Sequence, residues 1–404
     1  MTASQALVTQ IRRTRCCTHP IRMQGRTDTV DVQSGELRAL VASADQPGGV
    51  LLLPCRNRRS TVCPSCADAY RGDAWQLIAS GLRGGKGVGA EVSVHPRLFV
   101  TLTAPSFGEV HSRRVRDGRP RRCRTRRSGV CAHGMARSCS FIHDLADPVL
   151  GRPLCAECFS YDQAVLWNAQ AGQLWNRTVI NLRRALAREL RLPAAALRSA
   201  ASVSFVKVVE YQARGVVHLH AVVRLDGPTP DEPAPAVDQD RLAVIVRDSA
   251  AAASVPLALP DGSAWECRWG PQLDVRVIPT GDVAAVAAYI AKYATKSTDA
   301  NGALDRPIRR RAQIDRLPVN AHLRRLVHTC WQLGGDARYR KLRLRAWAHA
   351  LGYRGHWTTK SRAYSTTFKA LREARVAYVG GRDDDSVRVG EWRYVGRGYD
   401  LLGA

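Results

Sequence analysis

The sequence predicts an α+β protein in which an antiparallel sheet packs with helices. A β-rich segment at 98–108 ends in a Pro-Ser turn, and residues 201–225 form two β-rich runs around a polar, glycine-containing turn, which is typical of a hairpin. Segments 161–192 and 280–297 have the apolar spacing and the good helix formers of α-helices. At 404 residues the chain is long enough for two or three domains.

The charge balance indicates a nucleic-acid partner rather than an ordinary metabolic enzyme. The formal net charge is +26, and only seven of the 61 basic residues are lysines. Arginine binds phosphate through two parallel hydrogen bonds and stacks on bases. An arginine-rich genome would explain the preference for arginine over lysine, but it would not explain the small acidic count of 35.

Nothing in the sequence predicts membrane association. Residues 1–20 lack the apolar stretch of a secretory signal, and the weakly polar run at 250–260 is too short to span a bilayer and contains prolines. We therefore expect a soluble cytoplasmic protein with no membrane partner. In that compartment the twelve cysteines are expected to be metal ligands rather than disulfides.

Two C-x-x-C pairs predict two structural zinc sites. The first pair is Cys63 and Cys66, and Cys55 together with Cys17 or Cys16 can complete a tetrahedral site. A redox role is disfavoured because no thioredoxin-like strand and helix surround either pair.

The second pair is Cys155 and Cys158. Cys131 and Cys139 are the expected partners of this pair. Three other side chains compete for the same places, namely Cys123, His133 and His143.

Three further segments differ from the rest of the chain in composition. Nine arginines lie between Arg113 and Arg127, and beside a nucleic-acid site such a run can bind phosphate. Residues 229–240 are rich in proline and acidic side chains, which predicts a loop. Residues 306–376 carry 18 basic and three acidic side chains, and we expect this region to be helical.

The hairpin carries two histidines that can share a metal ion. Side chains alternate along a strand, so His218 and His220 lie on one face, about 7 Å apart. Glu210 ends the preceding strand. A five-residue loop at 211–215 would place Glu210 opposite Val216 and on the histidine face, whereas a four-residue loop would turn it away.

The helix at 280–297 carries a repeated Y-x-x-K pattern. Tyr289 and Tyr293 are four residues apart, so they lie on one face of the helix. Lys292 and Lys296 each follow a tyrosine by three positions, although arginine is the usual cation of this chain. An amphipathic helix would explain one tyrosine, but the doubled pattern after an H-x-H hairpin favours a catalytic group.

In this order, "FVTLT", "HLH" and "YIAKYATK" resemble the three motifs of the HUH endonucleases. The fuller pattern is similar to the RepSA-like rolling-circle replication initiators of actinomycete plasmids and integrative elements. It includes "CRNRRSTVCPSCADAYR", "LCAECFSYDQAVLWNAQAGQLWNRT" and "GYRGHWTTKSRAYSTT". The resemblance extends from about residue 50 to residue 370.

The resemblance implies a fold and a division of the chain. The fold is an HUH core, an antiparallel ferredoxin- or RRM-like sheet with helices, accompanied by zinc modules and a basic, mainly helical C-terminal region. Residues 1–95 would form a zinc-binding region and 301–404 a DNA-binding region. The core at 96–300 would be interrupted by the second zinc module at about 123–160 and by a Pro-rich insertion at about 226–262.

The resemblance also implies the reaction. His218, His220 and Glu210 would hold one Mg²⁺ or Mn²⁺ ion, while Tyr289 would attack the scissile phosphate first and Tyr293 second. Lys292 and Lys296 would stabilise the developing charge. The products are a 5′-phosphotyrosine and a 3′-OH for a polymerase. The substrate would be an origin hairpin or single strand.

Host proteins would supply the remaining replication functions. "GLRGGKG" at 81–87 lacks the spacing and the hydroxyl residue of a P-loop, so we expect a host helicase, polymerase and single-strand-binding protein as partners. Two alternative functions stay open on the sequence, a two-tyrosine HUH transposase and a non-catalytic zinc-containing regulator that binds nucleic acid.

Overall fold

The computed structural model of the chain describes residues 3–31, 33–124, 128–295, 304, 306–380 and 386–399. It is a mixed α+β fold with antiparallel sheets, which confirms the predicted class. The α-helices of these residues are α1 (Ala3–Arg13), α2 (Pro64–Arg83), α3 (Tyr161–Glu189), α4 (Gln239–Ala251), α5 (Val283–Tyr293), α6 (Ala312–Asp315), α7 (Ala321–Leu333) and α8 (Phe368–Gly380). The strands are β1 (Ile21–Asp31), β2 (Leu37–Ala42), β3 (Leu51–Leu53), β4 (Arg97–Thr103), β5 (Arg114–Arg116), β6 (Arg119–Arg121), β7 (Ser202–Tyr211), β8 (Val217–Asp226), β9 (Ser254–Ala258), β10 (Ala264–Arg268), β11 (Leu273–Val277), β12 (Thr358–Lys360) and β13 (Ser386–Arg397).

The chain divides into two compact units. The terminal unit consists of Met1–Leu77 together with Thr366–Ala404, and the central unit consists of Ile78–Ser365. This division differs from the boundaries near 95 and 300 that the sequence led us to expect. The physical reason is long-range pairing, because β13 pairs along the whole length of β1 and so belongs to the N-terminal sheet.

In the terminal unit, β1 is the strand around which the sheet is built. It pairs antiparallel with β13, β2 and β3. Gly25 in β1 has a φ of +143°, and a Cβ at this position would overlap the carbonyl group of Glu391 in β13. Glycine is therefore required where the two backbones approach each other.

In the central unit, five antiparallel strands form a sheet in the order β11–β4–β8–β7–β12. One face of this sheet is apolar and packs on α3. Leu219 and Ala221 of β8 lie in the same buried core as Trp167 and Leu174 of α3. Because side chains alternate along a strand, the intervening histidines of β8 lie on the opposite face.

Asn168 of α3 holds the turn of the β7–β8 hairpin. Its amide nitrogen donates hydrogen bonds to the carbonyls of Gly215 and Leu351, at 3.0 and 2.9 Å. Its amide oxygen accepts a hydrogen bond from the backbone nitrogen of Val217 at 3.0 Å. The side chain is fully buried, so it replaces water as the partner of all three backbone groups.

The segment at about 226–262, expected from the sequence to be a Pro-rich insertion, is not a continuous loop in the structure. Its first part, residues 227–238, is irregular, but α4 begins at Gln239 with Asp238 as its N-cap, and β9 follows from Ser254. Leu242, Ile245 and Val246 of α4 are buried in the main core. An apolar periodic segment of this kind is stabilised by packing and does not behave as a surface loop.

The C-terminal region is less helical than the sequence led us to expect. Residues 306–376 contain α6, α7 and most of α8, but β12 extends the central sheet by pairing with β7. β13, further along, is a strand of 12 residues. No α-helix among the described residues has the length and apolar character needed to span a membrane.

Candidate metal centres and tyrosine pair

The register of three strands brings the predicted hairpin residues onto one face of the central sheet. Glu210 of β7 lies opposite His218 of β8, and the strands close with the pair Tyr211 and Val217. The loop at 212–216 thus has the five-residue length of one alternative considered from the sequence, but it begins one residue later. Glu210 lies opposite His218 rather than Val216, but still on the histidine face.

Two threonines of β4 orient the histidines. Thr101 is paired with His220, and its Oγ1 lies 3.2 Å from Nδ1 of that ring. Thr103 is paired with His218, and its Oγ1 lies 3.1 Å from Nδ1. A threonine hydroxyl can accept a hydrogen bond from a protonated Nδ1, which leaves the lone pair on Nε2, the usual arrangement behind a metal-ligating histidine.

The ligand atoms of Glu210, His218 and His220 lie within 4.8 Å of one another. Nε2 of His220 lies 3.5 Å from Oε1 of Glu210. His220 is 3% exposed, and its Nε2 makes no hydrogen bond within the described part of the chain. A buried nitrogen lone pair beside a carboxylate fits a cation as the missing partner.

Both tyrosines of α5 lie over this group. The ring of Tyr293 stacks on that of His220 with a centroid distance of 4.7 Å, and Tyr289 lies 5.7 Å from the same histidine. The two tyrosine rings are 4.8 Å apart and nearly perpendicular. The four-residue spacing on the helix therefore gives two phenols next to one set of metal-binding side chains.

The two phenols differ in environment. Tyr289 is 46% exposed, whereas Tyr293 is half-buried. Burial raises the pKa of Tyr293 well above its usual range, and the neighbouring Tyr289 and Glu210 raise it further. Lys292 is exposed on α5, and Lys296 lies outside the described residues.

Two residues at this site were not identified from the sequence. Phe99 of β4 stacks on His220 at 5.7 Å and meets Tyr289 edge-on at 5.7 Å. Arg276 of β11 is paired with Phe99 and interacts electrostatically with Tyr289. The sequence position of Phe99, two residues before Thr101, could have indicated its place at the site, because side chains two apart in a strand lie on the same face of the sheet.

The first cysteine group lies in the terminal unit and has the expected members. The sulfurs of Cys17, Cys55, Cys63 and Cys66 lie within 4.8 Å of one another, and those of Cys17 and Cys63 are 3.7 Å apart. Cys16 is exposed and outside this group. Desolvation raises the pKa of Cys63, but hydrogen bonds with Thr18 and the backbone of Cys66 outweigh it and lower the pKa to about 5.

The second group differs from the expected set in one member. Cys131, Cys155 and Cys158 are joined by His133, whose Nδ1 lies 3.3 Å from the sulfur of Cys158. Cys139 is not in this group. The reason is backbone pairing, because Arg124 and Cys139 exchange hydrogen bonds of 2.8 Å, which holds Cys139 beside a different part of the chain.

Cys139 instead belongs to a third group that the sequence analysis did not separate. Its other members are His111, Cys123 and His143. Cys123 and His143 were considered only as competitors for the second site, and His111 was missed. The C-x-x-x-H spacing of Cys139 and His143 was the available signal.

Comparisons with known proteins agree with the class that the site suggests, a replication initiator. The family model described as "RepSA: Replication initiator protein, pSAM2" matches residues 3–403. The chain therefore belongs to the RepSA family of replication initiators.

A curated replication initiator protein from Streptomyces ambofaciens is 43% identical over 414 residues, covering 96% of this chain and 86% of the relative. No solved structure is significantly similar to the chain. The family assignment supports a role in the initiation of plasmid replication.

Proposed function

We propose that the protein is a cytoplasmic HUH nickase that starts rolling-circle replication by cutting one strand at a plasmid origin. The observation that carries the proposal is the stacking of Tyr293 on His220 at 4.7 Å, with Tyr289 beside both rings. A phenol next to a histidine–carboxylate group is the arrangement that a metal-assisted attack on phosphate requires. A regulator that only binds nucleic acid does not require this arrangement.

Glu210, His218 and His220 would hold the ion. One carboxylate and two imidazoles suit a divalent metal that accepts both oxygen and nitrogen ligands, such as Mn²⁺ or Mg²⁺. When bound, the ion polarises the scissile phosphate as a Lewis acid. Thr101 and Thr103 are proposed to accept the Nδ1 protons and so keep the two imidazoles in the ligating tautomer, while Phe99 stacks on His220.

Tyr289 is the better initiating nucleophile because it is the more exposed of the two. Its Oη forms a bond to phosphorus as the bond from phosphorus to the 3′ oxygen breaks. The phenol loses its proton, and the departing 3′ oxygen gains one. Lys292, Lys296 and Arg276 are the cations proposed to stabilise the charge that develops at this step.

Tyr293 is held for the second transfer. Burial raises the pKa of Tyr293, and its ring is stacked on His220, so its phenol is less available for the first attack. The stored phosphotyrosine bond then allows the displaced strand to be closed without a nucleotide cofactor. Host helicase, polymerase and single-strand-binding protein would extend and separate the strands.

The first two cysteine groups are proposed to bind structural zinc. A sulfur separation of about 3.8 Å is expected around a tetrahedral zinc with bonds of about 2.3 Å. The distance of 3.7 Å between Cys17 and Cys63 fits this geometry. Such sites stabilise folded modules rather than take part in the chemistry.

The test is a cleavage assay on single-stranded origin DNA with Mn²⁺ or with EDTA. Wild-type protein should form a covalent adduct only with the ion, and peptide mapping should find it on Tyr289. Tyr289→Phe should lose most first-strand cleavage, while Tyr293→Phe should nick but fail to release closed circles.

The matched control is Tyr378→Phe, which removes an exposed hydroxyl from the terminal unit and should behave as wild type. An adduct on Tyr293 alone would reverse the order of use. An adduct on neither tyrosine, or cleavage that persists in EDTA, would refute the proposed mechanism.

A further inference from the structure

The third Cys/His group has the geometry of a tetrahedral metal site. Nε2 of His143 lies 3.2 Å from Nδ1 of His111 and 3.4 Å from the sulfur of Cys139. Zinc bonds of about 2.0–2.1 Å to nitrogen and 2.3 Å to sulfur require separations of about 3.3 Å for two nitrogens and 3.6 Å for nitrogen and sulfur. Cys123, Cys139 and His143 are all buried.

A carboxylate supports the ligating form of His143. Nδ1 of His143 lies 2.7 Å from Oδ2 of Asp147. A carboxylate accepts hydrogen bonds, so Nδ1 carries the proton and the lone pair of Nε2 faces His111 and Cys139. A carboxylate behind a histidine is the usual outer partner of a zinc ligand.

Backbone hydrogen bonds between neighbouring segments of residues 111–152 hold the ligands of this group in place. Cys123 donates its backbone N–H to the carbonyl of Phe141, and the adjacent Arg124 pairs with Cys139. On the other side, His111 donates to Arg152 and accepts from Gly151. The ligands are thus fixed by strand-like pairing rather than by a flexible surface loop.

Between His111 and Cys123 the chain forms a two-stranded hairpin, which we call the arginine ribbon (residues 113–122). Its strands β5 and β6 are joined by Asp117 and Gly118, which have φ values of +52° and +72°, as a type I′ turn requires. The ribbon carries six arginines, and its only acid is Asp117.

The ribbon has an arrangement of charge that needs an anion. Arg114 is paired directly with Arg121, and Arg116 with Arg119, so four guanidinium groups share one exposed face. Like charges directly opposite each other destabilise a strand pair, and an isolated two-stranded hairpin is marginally stable. An ion at the base and a polyanion on the face would offset both costs.

Arg113, the first residue of the ribbon, lines a cleft that reaches Thr103, the hydroxyl partner of His218. The cleft is lined by Thr103, which orients His218, and by His111, Arg113 and Arg124. A single strand lying in this cleft would contact Arg113, next to the paired arginines of the ribbon, and Arg124. The phosphate backbone of DNA is therefore the anion that the location favours.

We propose that His111, Cys123, Cys139 and His143 bind a third structural zinc ion, which fixes the base of the arginine ribbon so that the ribbon contacts the DNA backbone. The DNA part rests on the proposed function. The zinc part does not, and neither readout below requires strand cleavage.

The first experiment counts zinc by elemental analysis of purified full-length protein. Wild type should carry three zinc ions per chain, and Cys139→Ser or His111→Ala should carry one fewer. Cys139→His, which keeps a ligating atom, should retain all three, as should the control Cys16→Ser. Folded Cys139→Ser and His111→Ala variants that carry as much zinc as wild type would overturn the metal site, whatever the wild-type total and even if nicking is normal.

The second experiment measures binding of single-stranded DNA against salt concentration. Replacing Arg114, Arg116, Arg119 and Arg121 with Gln should leave three zinc ions in place. The slope of log K against log salt should become shallower by about 3, and affinity at about 0.15 M salt should fall about 100-fold. The control replaces four exposed arginines of α3 with Gln and should change the slope much less; these are Arg177, Arg183, Arg184 and Arg188.

Cys139→Ser should weaken DNA binding in the same direction as the ribbon variant. An unchanged slope in the ribbon variant would overturn the assignment of the ribbon to DNA. Loss of one zinc without weaker DNA binding would overturn the link between the ion and the ribbon. Failure of nicking with these results intact would count against the proposed reaction alone.

Discussion

Lys207 is a cation buried inside the central unit, and its removal should stabilise the protein in a pH-dependent way. The residue lies on β7, opposite Ala221 of β8 and Thr359 of β12. Its side chain is 6% exposed, and it faces the side of the sheet that packs on α3. Desolvation lowers its pKa from 10.5 to about 8.

The size of the effect follows from this shift. One pKa unit corresponds to about 1.4 kcal/mol, so the buried charge destabilises the folded central unit by about 3 kcal/mol at pH 7. Lys207→Met keeps the long apolar side chain and removes the charge. We expect the variant to be more stable than wild type by about 3 kcal/mol at pH 7.

The sign of the pH dependence follows from proton binding. The pKa of Lys207 is lower in the folded state than in the unfolded state, so between about pH 8 and 10.5 the unfolded chain binds more protons. Wild-type stability therefore gains from this group as the pH rises through that window. The advantage of Lys207→Met should be full below pH 8 and should vanish near pH 10.5.

The assay is denaturant unfolding of wild type and variant at several pH values from 7 to about 10.5, followed by tryptophan fluorescence. Burial raises the pKa of Cys267 and Cys330, which gives an opposite slope, but that contribution cancels in the difference between the two proteins. Lys341→Met is the control, because Lys341 is exposed. An advantage at pH 7 below about 1 kcal/mol, or one that does not shrink with pH, would refute the reasoning.

Two further predictions concern groups that position the hairpin. The double variant Thr101→Val with Thr103→Val keeps the shape of both side chains but removes the oxygens beside the histidines. Its Mn²⁺ affinity, measured by calorimetry, should fall about 10- to 100-fold, and an unchanged affinity would contradict the assigned tautomers. Asn168→Ala leaves three buried backbone groups without partners and should destabilise the central unit by about 3–5 kcal/mol in denaturant unfolding, whereas a loss below about 1 kcal/mol would show that water replaces the amide.

Local patterns predicted the elements that carry the candidate site. The alternation of 201–225 gave the hairpin, and the four-residue spacing of Tyr289 and Tyr293 gave a shared helix face that the structure also has. These features depend on neighbours in the sequence, so they can be recognised without the fold. The strand register of Glu210 could not be predicted in this way, because it depends on the loop and on the packing of the turn against Asn168.

Long-range pairing limited the rest of the prediction. Cysteine spacing identified the members of the first metal-binding group, but it missed His111, and the pairing of Arg124 with Cys139 determines which group Cys139 joins. The pairing of β13 with β1 likewise joins the two ends of the chain into one unit, which no local pattern of residues 1–50 indicates. The apolar spacing of α4 is present in the sequence, but the prolines before it led us to treat the segment as part of a Pro-rich insertion.

The pairing of β1 with β13 has a consequence for biosynthesis. A ribosome adds about 5–20 residues per second, so β1 is complete tens of seconds before the strand that completes its sheet, because the whole chain between Asp31 and Ser386 is made in between. During this time β1 is an open edge, and its charged residues Arg22, Arg26 and Asp28 oppose pairing with other nascent chains. A prematurely terminated product would lack β13 and keep that edge exposed, so truncated chains would be ready substrates for cellular proteases.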